Sequence, residues 1–460
     1  MPKLVFLPTD VVLLVLLLAG IAYGIYVRYR PDLRSSWGRV FEAPACASGA
    51  VVLAAFILVA LIDSVHYRPL LPGQGNSDTP AYATRTFSLL DALLAVPLGS
   101  LEKTYSAPLA YASFSKEPAV VNGEQVRVFP RLKFGGAHLG NPENDWLLDV
   151  SLRAAAGLLG GAALAAGLAW PGLRRSTRLP KSALLWTVAA LGGLIGLSAA
   201  LAPWYHVLGT DRTGNDVLVQ AIKSIRTAVV MGSLTTMATL PFAIVLGVMA
   251  GYFRGWIDDL IQYFYTTLSS VPNVLLIAAC VLMIQVFIDK NPQMFETGVE
   301  RADLRLLLLC VILGVTGWAG LCRLLRGETL KLRELDYVQA AIAFGVTPWR
   351  IMARHILPNV MHVVLITVVL DFSAIVLYEA VLSYVGVGVD PSTNSFGSMI
   401  NLARSEMARD PLVWWNLATA FFFMLALVLA ANLFADGVRE AFDPRSRAFR
   451  PRLLKSGRAA

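Results

Sequence analysis

Charged residues are scarce in this sequence. Of its 460 residues, 15% are charged and 56% are hydrophobic, whereas an average soluble domain has about 25% charged residues. The polar residues are too few to cover the apolar ones in water, so a soluble globular protein is excluded. The composition instead predicts an all-α polytopic membrane protein whose apolar side chains face lipid and neighbouring helices.

Cysteines and catalytic motifs are scarce as well. The four cysteines lie in or beside apolar runs without the spacing of metal ligands, which predicts packing residues and no disulfide. They are Cys46, Cys280, Cys310 and Cys322. The sequence contains no G-x-x-x-x-G-K-[ST] phosphate-binding loop, no H-E-x-x-H and no G-x-S-x-G. We therefore expect no ATP site, metal site, cofactor or catalytic centre in this chain.

Nine runs are apolar for long enough to cross about 30 Å of hydrocarbon, which takes roughly 20 residues. They cover about 9–27, 44–65, 152–170, 183–202, 225–250, 264–288, 304–322, 360–382 and 414–435. The first run lacks a small-residue cleavage site, so it is predicted to be an uncleaved anchor. The nine runs predict nine transmembrane helices.

The net charge of +8 comes from basic loops and does not indicate nucleic-acid binding. Arg and Lys follow the first, third, seventh and ninth runs. Loops rich in these residues stay in the cytoplasm. The alternation therefore places the N-terminus outside the cell membrane and the C-terminus in the cytoplasm.

The loop between the second and third runs, about 66–150, is predicted to lie outside, and its sequence indicates no chemistry. Its stretch 86–101 has Leu90, Leu93 and Leu94 at helical spacing. This spacing fits a short helix on the membrane surface, and it fits ordinary packing against the spans equally well.

The stretch "DYVQAAIAFGVTPWRIMARHILPN" (336–359) lies in a predicted cytoplasmic loop and is unusually organised. Its pattern predicts two short helices. One ends at Gly345, where positive φ is needed, and the other begins after Thr347 as a cap. Pro358 is expected to stop the second helix before the eighth span. The first helix is expected to have one apolar face, formed by Leu332, Leu335, Val338, Ala341 and Ile342.

Two interpretations of this stretch remain open from its residues. It is either an interfacial helix pair that turns the chain back, or a docking element with apolar ridges and basic flanks for a soluble partner.

The stretch resembles the EAA loop of binding-protein-dependent ABC-transporter permeases. That motif has Glu-Ala-Ala, then Gly four residues after the second Ala, then Leu-Pro. The matching residues here are Ala340, Ala341, Gly345, Leu357 and Pro358. Gln339 stands where the family has Glu, which puts the contact made by that charge in doubt.

Three further motifs resemble the dipeptide, oligopeptide and nickel branch of that family. They are "GTDRTGNDV" (209–217), "YEAVLSYVGVGVDPSTNSFGSMI" (378–400) and "ANLFADGVREAFDPR" (431–445). Asn215 replaces the usual Arg, and Phe396 replaces the usual Trp. The resemblance covers about 183–445.

The resemblance implies a type I ABC importer core of six helices in 183–460, with the transmembrane type-1 domain at about 225–438. Residues 1–182 form an N-terminal extension of three spans and the outer loop, whose role the sequence does not indicate. Such a permease works in the bacterial inner membrane as half of a translocation pathway.

The resemblance also implies the partners. They are a second homologous permease, two cytoplasmic ATPase subunits that bind ATP and Mg, a periplasmic solute-binding protein and membrane lipid. Di- or oligopeptides are the expected substrates, while nickel complexes, opines and glutathione stay open.

Two groups of site residues follow from the matched motifs. The expected ATPase-coupling loop comprises Gln339, Ala340, Ala341, Gly345, Arg350, Arg354, His355, Leu357 and Pro358. The expected outer gate or binding-protein contact comprises Gly209, Thr210, Asp211, Gly214 and Asp216. In the second group a short outer helix capped by Asp211 is the functional interpretation, and simple helix capping is the alternative.

The eighth span carries Asp371, Glu379, Gly386 and Gly388 as residues of the pathway or of packing. Ionisable groups inside a span need partners and often have functional roles. Glu379 is expected to make a structural hydrogen bond, whereas no partner for Asp371 is evident. A proton-coupled secondary transporter that uses these two carboxylates is the alternative function.

Overall fold

Helices make up most of the fold. The structure is a computed structural model that describes residues 3–70, 82–83, 85–121, 124–175, 179–295 and 297–442. Within these residues, nine helices are long and apolar enough to cross a membrane. The number and order of spans predicted from the sequence are therefore confirmed.

The helices of the N-terminal extension are α1 Pro8–Tyr29, α2 Pro31–Val40, α3 Pro44–Asp63, α4 Leu89–Leu93, α5 Ala95–Gly99 and α6 Pro142–Arg175. The next are α7 Lys181–Leu201, α8 Val217–Phe253, α9 Trp256–Ser270 and α10 Asn273–Lys290, then a 3-10 turn Pro292–Met294. The rest are α11 Gly298–Gly317, α12 Ala319–Arg333, α13 Asp336–Ala343, α14 Pro348–Ile351, a π turn Met352–Ile356, α15 Leu357–Val385, α16 Phe396–Glu406 and α17 Trp415–Phe442.

Among the described residues, five short strands lie at one end of the bundle. They are β1 Lys3–Val5, β2 His66–Arg68, β3 Phe87–Ser88, β4 Glu117–Val121 and β5 Glu124–Val128. Antiparallel pairing in the order β1-β2-β3 joins the chain start to the 66–150 loop, while β4 and β5 form a hairpin. The N-terminal strand and this loop therefore share one side of the bundle, here called the loop side.

The predicted helix at 86–101 is two short helices, α4 and α5. Ser88 caps the first with a capping box to Asp91. Leu90 is buried, while Leu89 and Leu93 are exposed. Leu90 therefore packs against the protein, as the packing interpretation expects, while the position of these helices on the membrane surface stays a prediction.

The sixth span is shorter than expected. A single helix was predicted at about 264–288, but the chain breaks between α9 and α10, where Val271 has an extended backbone. Pro272 causes the break, because a residue before proline is disfavoured in the helical region. Helix α9 becomes a separate amphipathic helix that buries Ile261 and Tyr265.

Pro358 does not end a helix, contrary to expectation. The chain stays helical from Pro348 to Val385, a stretch of 38 residues. The π turn makes this possible, because the N–H of Leu357 bonds to the carbonyl of Met352, five residues back. The wider turn makes room for the proline ring and its missing donor.

The extension is packed into the core and is not a separate domain. Helix α3 contacts α17 and α8. A Cβ on Gly49 would lie 2.8 Å from the carbonyl oxygen of Ala430, and one on Gly437 would collide with the thiol of Cys46. These glycines let α3 and α17 approach to backbone contact.

Helices α6 and α7 form a tight antiparallel hairpin. Gly157 and Gly161 face Gly192 and Gly196, and a Cβ on any of them would meet the backbone or Cβ of the other helix. The pair packs on α3. Helix α7, the first span of the core in the sequence analysis, therefore lies with the extension in space.

We expect Gly161→Leu to lower the thermal unfolding midpoint of the purified protein by several degrees. The side chain would collide with Gly192, and overpacking a close contact typically costs about 1–3 kcal/mol. Gly160→Leu is the matched control, because nothing lies within 4 Å of a Cβ there. Equal midpoints for the two variants, measured in detergent, would contradict the glycine packing.

Candidate functional site

As predicted, the stretch at 336–359 forms two helical segments joined at a left-handed glycine, but only α13 is a separate short helix, since the second segment runs on into α15. Gly345 has φ +72°. The N–H of Val346 bonds to the carbonyl of Ala341, and that of Gly345 bonds to the carbonyl of Ile342. This pair of bonds is a Schellman motif. Thr347 takes the expected cap position, although its side chain makes no capping bond.

The expected apolar face of α13 is split between the interior and the surface. Val338 and Ala341 are buried against the bundle, whereas Leu335 and Ile342 are exposed. The exposed pair joins three other apolar side chains, and together they form what we call the docking surface. Its members are Leu335, Tyr337, Ile342, Phe344 and Trp349, with Phe344 86% exposed.

Polar and basic residues surround the docking surface. Arg350 and Arg354 are exposed, and His355 is partly buried beside Tyr337. The side chain of Gln339 donates a 2.9 Å hydrogen bond to the carbonyl of Arg333, at the end of α12. An ionised Glu has no donor for that carbonyl, so Gln339 gives this loop a bond that the family's usual residue cannot make.

Three further residues of the expected coupling loop, Ala340, Leu357 and Pro358, differ in their exposure. Ala340 and Pro358 are exposed, and Leu357 is partly buried.

The helix pair rests on α8 and α12, where Gly251 packs against Thr329. Arg326 of α12 forms two hydrogen bonds to Asp258 of α9, at 2.6 and 2.7 Å. The docking surface therefore has a rigid base.

The stretch 209–216 forms a closed turn before α8, on the loop side. Gly209 and Gly214 have positive φ, 76° and 79°, a region that favours glycine. A Cβ on Gly209 would lie 2.6 Å from the carbonyl oxygen of Ser106, and one on Gly214 would collide with the carbonyl of Glu102. The turn and the outer loop both require these glycines.

The two aspartates of this turn differ from expectation. Asp216, not Asp211, caps α8 by accepting two backbone N–H bonds of its first turn, at 2.8 and 3.3 Å. Asp211 Oδ1 accepts two backbone N–H bonds within the turn, at 2.8 and 3.0 Å. The predicted short outer helix is wrong, because these local side-chain bonds hold 209–216 in a turn.

The outer loop is fastened to this turn through Thr210. Its hydroxyl donates to the carbonyl of Thr104 at 2.9 Å and accepts the backbone N–H of Ser106 at 2.6 Å. Trp415, at the start of α17, donates from Nε1 to the carbonyl of Thr210 at 3.0 Å. Thr210 therefore links the turn, the outer loop and the last span.

A buried charge cluster completes the attachment of the loop. His206 Nδ1 bonds Asp216 at 2.8 Å, and its Nε2 lies 3.6 Å from a carboxylate oxygen of Glu102. Burial lowers the pKa of His206, but the bond with Asp216 and the charge of Glu102 outweigh it and raise the pKa to about 9. The histidine is therefore charged at neutral pH.

The pKa of Glu102 moves the other way. Burial raises it, but His206 and three backbone N–H groups of the outer loop outweigh burial and lower it to about 2. No sequence motif singles out Glu102 or His206. Glu102 lies about a hundred positions before its partner, in a loop of mixed charge, so only the fold reveals the pair.

A second charge network joins the extension to the core. Arg226 of α8 donates to Asp10 of α1 at 2.6 Å and to Asp303 of α11 at 3.2 Å. His66 Nδ1 bonds the same Asp10 at 2.8 Å. All four side chains are nearly buried. Buried charges within a membrane protein need partners, and the extension supplies Asp10 as a partner of Arg226.

Glu379 has the structural role expected from the sequence. It is 1% exposed and accepts a 2.7 Å bond from Ser383, one turn later in α15. A Cβ on Gly388 would collide with Ser383, and one on Gly397 would lie 2.8 Å from Glu379. Gly386 ends α15 with φ +87°. These residues pack the end of the span closely.

Asp371 differs from Glu379. It lies in the middle of α15 and is partly buried. Within the part of the chain that the structure describes, it has no hydrogen-bond or salt-bridge partner. The partner expected for a carboxylate at this depth is therefore not supplied by those residues.

The nine apolar helices of the described residues define a multi-pass membrane protein. The family model for binding-protein-dependent transport system inner membrane components matches residues 243–448. The chain belongs to this family of ABC transporter permeases, which are inner-membrane proteins.

Individual relatives are peptide and glutathione permeases. The chain is 30% identical over 243 residues to the oligopeptide transport system permease protein OppC of Haemophilus influenzae, covering 53% of this chain and 71% of that protein. It is 31% identical over 245 residues to OppC of Mycobacterium tuberculosis, covering 53% and 78%. It is 31% identical over 243 residues to the glutathione transport system permease protein GsiD of Pectobacterium atrosepticum, covering 52% and 73%.

The pKa shifts of His206 and Glu102 predict a pH-dependent attachment of the outer loop. A histidine pKa raised from 6.5 to about 9 stabilises the fold fully below pH 6.5, and this contribution is lost as pH rises through 9. A Glu pKa lowered from 4.5 to about 2 stabilises fully above pH 4.5, and this is lost as pH falls towards 2. The attachment is strongest between these limits.

We expect the unfolding midpoint of the purified protein to fall between pH 6.5 and pH 9.5, and His206→Gln to lower the midpoint at pH 6.5 and flatten the profile. His362→Gln, at a partly buried position where the ring meets the carbonyl of Asn359 and no carboxylate of the described residues, is the control for general effects of losing a histidine. A His206→Gln profile parallel to that of the parent protein would refute the charge cluster.

Proposed function

We propose that the chain is the permease subunit of an ATP-driven importer, and that the docking surface binds a cytoplasmic ATPase. The carrying observation is an exposed apolar surface with basic flanks on α13 and α14, of which α14 continues without a break into α15. An exposed apolar patch with a polar rim is typical of a protein interface. The chain has no phosphate-binding loop, so its energy comes from partners.

The continuous helix provides the mechanical connection. The 38 residues from Pro348 to Val385 extend about 57 Å at 1.5 Å per residue, which exceeds the membrane core. ATPase closure at the docking surface would move this helix as a rigid body. Its far end packs through Ser383 and Gly388 next to α16, so the movement reaches the loop side.

The loop side faces outward in this proposal. The turn at 209–216 and the outer loop fastened to it offer a rigid platform for the periplasmic solute-binding protein. The opposite side, with the docking surface, is cytoplasmic, as the basic loops indicate. The N-terminus then lies outside and the C-terminus inside.

A second, homologous permease would complete the pathway. Met237, Phe242 and Val245 form an exposed apolar stripe on α8, which suits a helix of the other permease. The names of the relatives support the substrate class: oligopeptide, dipeptide and glutathione transport. We infer di- or oligopeptides as the substrates.

We expect Phe344→Ala to weaken the association of the ATPase subunits at least tenfold, because this side chain is the most exposed member of the docking surface. Co-purification and peptide-stimulated ATPase activity of the co-expressed complex measure the effect. Leu168→Ala is the matched control, since Leu168 is 83% exposed and lies on α6. Equal ATPase recovery for both variants would refute the assigned surface.

We expect Gly345→Val to uncouple ATP hydrolysis from transport while the protein still inserts into the membrane. A β-branched residue at φ +72° is strained, although open space surrounds the position. Uptake per ATP in proteoliposomes is the measurement. Gly320→Val is the control, because it has open space and no positive φ. Normal coupling in Gly345→Val would argue against a role in coupling for the left-handed turn at Gly345.

A further inference from the structure

Asp371 lies at the midpoint of its helix. Leu357 and Val385, the ends of α15, are each 14 residues away, which corresponds to about 21 Å along the axis. The carboxylate is therefore far from either membrane surface. Its side chain is too short to reach water at the bilayer edge, as Lys or Arg can.

The residues around Asp371 show which side of α15 it occupies. Successive residues turn by about 100°. Phe372 packs on Gly232 of α8, and Ser373 is buried. On the other side, Leu370 and Leu377 belong to an exposed stripe. Asp371 is partly buried and lies at the edge of this exposed stripe, about 100° around the helix from Leu370.

Two further polar groups share this edge. Thr367 and Tyr378, four residues before and seven after Asp371, lie within about 40° and 20° of it around the helix. The hydroxyl of Tyr378 is buried and has no hydrogen-bond partner among the described residues. With Asp371 it makes two polar groups on one edge that this chain, as described, leaves unsatisfied.

The energetic cost of exposing the Asp371 carboxylate to lipid limits what can lie against this edge of α15. A carboxylate facing hydrocarbon at the centre of a bilayer is energetically costly, so intramembrane carboxylates face water or a partner. Glu379, in the same helix, meets this requirement inside the bundle through Ser383. Asp371 has no such bond among the residues that the structure describes, which leaves water, a ligand or another subunit to meet its requirement.

We propose that Asp371 lies on the wall of the translocation pathway and binds the ammonium group of the passing peptide. This rests on the proposed function, because only half of a pathway leaves such an edge open to water. A carboxylate at mid-depth attracts a cation where water is scarce. A single charge with an adjacent hydroxyl holds the peptide weakly enough for release.

The test uses the complete importer in proteoliposomes, with both permeases, the ATPases and the solute-binding protein. Two peptides of equal sequence, one with free amino groups and one with all amino groups acetylated, are each supplied as a saturated complex with the solute-binding protein. Differences in how tightly the solute-binding protein binds the two peptides then do not affect the comparison of uptake rates. ATP-driven uptake is measured for Asp371→Asn, Asp371→Glu and the parent protein.

We expect the parent protein and Asp371→Glu to transport the free-amine peptide at least tenfold faster than the acetylated one. Asp371→Asn is expected to lose this preference. Leu370→Asn is the matched control: it adds the same amide one position away, keeps the carboxylate and should retain the preference. This result would establish Asp371 as a specificity-determining residue.

Three outcomes would overturn the proposal. If Asp371→Asn keeps the preference for free amines, the carboxylate does not bind them. If Asp371→Asn fails to assemble with the second permease, Asp371 is an interface residue. If the parent importer takes up peptide with a proton gradient and without ATP, the proposed function fails as well, which distinguishes that failure from the other two.

Discussion

One unbroken helix runs from Pro348, at one side of the docking surface, to the packed end of span eight, and the rest of the structure is arranged around it. Its continuity depends on the π turn at Met352–Ile356, which accommodates Pro358 within the helix. A break at that proline would leave α13 and α14 as a flexible appendage. Because the helix continues, a displacement at one end moves the other end.

The extension contributes to the core in ways that its peripheral position in the sequence does not indicate. Arg226 of the core lies between Asp10 of the extension and Asp303. Glu102 of the outer loop lies 3.6 Å from the charged ring of His206, beside the Asp216 cap of α8. Removing the extension would take one carboxylate partner from each of these buried cations and leave Arg226 with Asp303 and His206 with Asp216. Extension and core are therefore interdependent in this chain.

Two carboxylates in one helix have opposite environments. Glu379 is enclosed with a hydroxyl donor and closely packed glycines, so it stabilises the end of the span. Asp371 is partly buried at the edge of an exposed stripe and has no partner among the described residues. A carboxylate enclosed by the bundle, such as that of Glu379, stabilises the fold. In our proposal the partly exposed carboxylate of Asp371 binds a ligand.

The sequence by itself determined the class, the nine spans and the helix–glycine–helix form of 336–359, because apolar run length and local backbone preference are encoded by neighbouring residues. The break at Pro272, the helical path through Pro358 and the capping by Asp216 depended on competing local bonds, and pattern alone did not rank them. Only the tertiary structure decided the pairing of Glu102 with His206, of Asp10 with Arg226, and the isolation of Asp371. These depend on which helix faces meet, since distant residues become neighbours only when the helices pack.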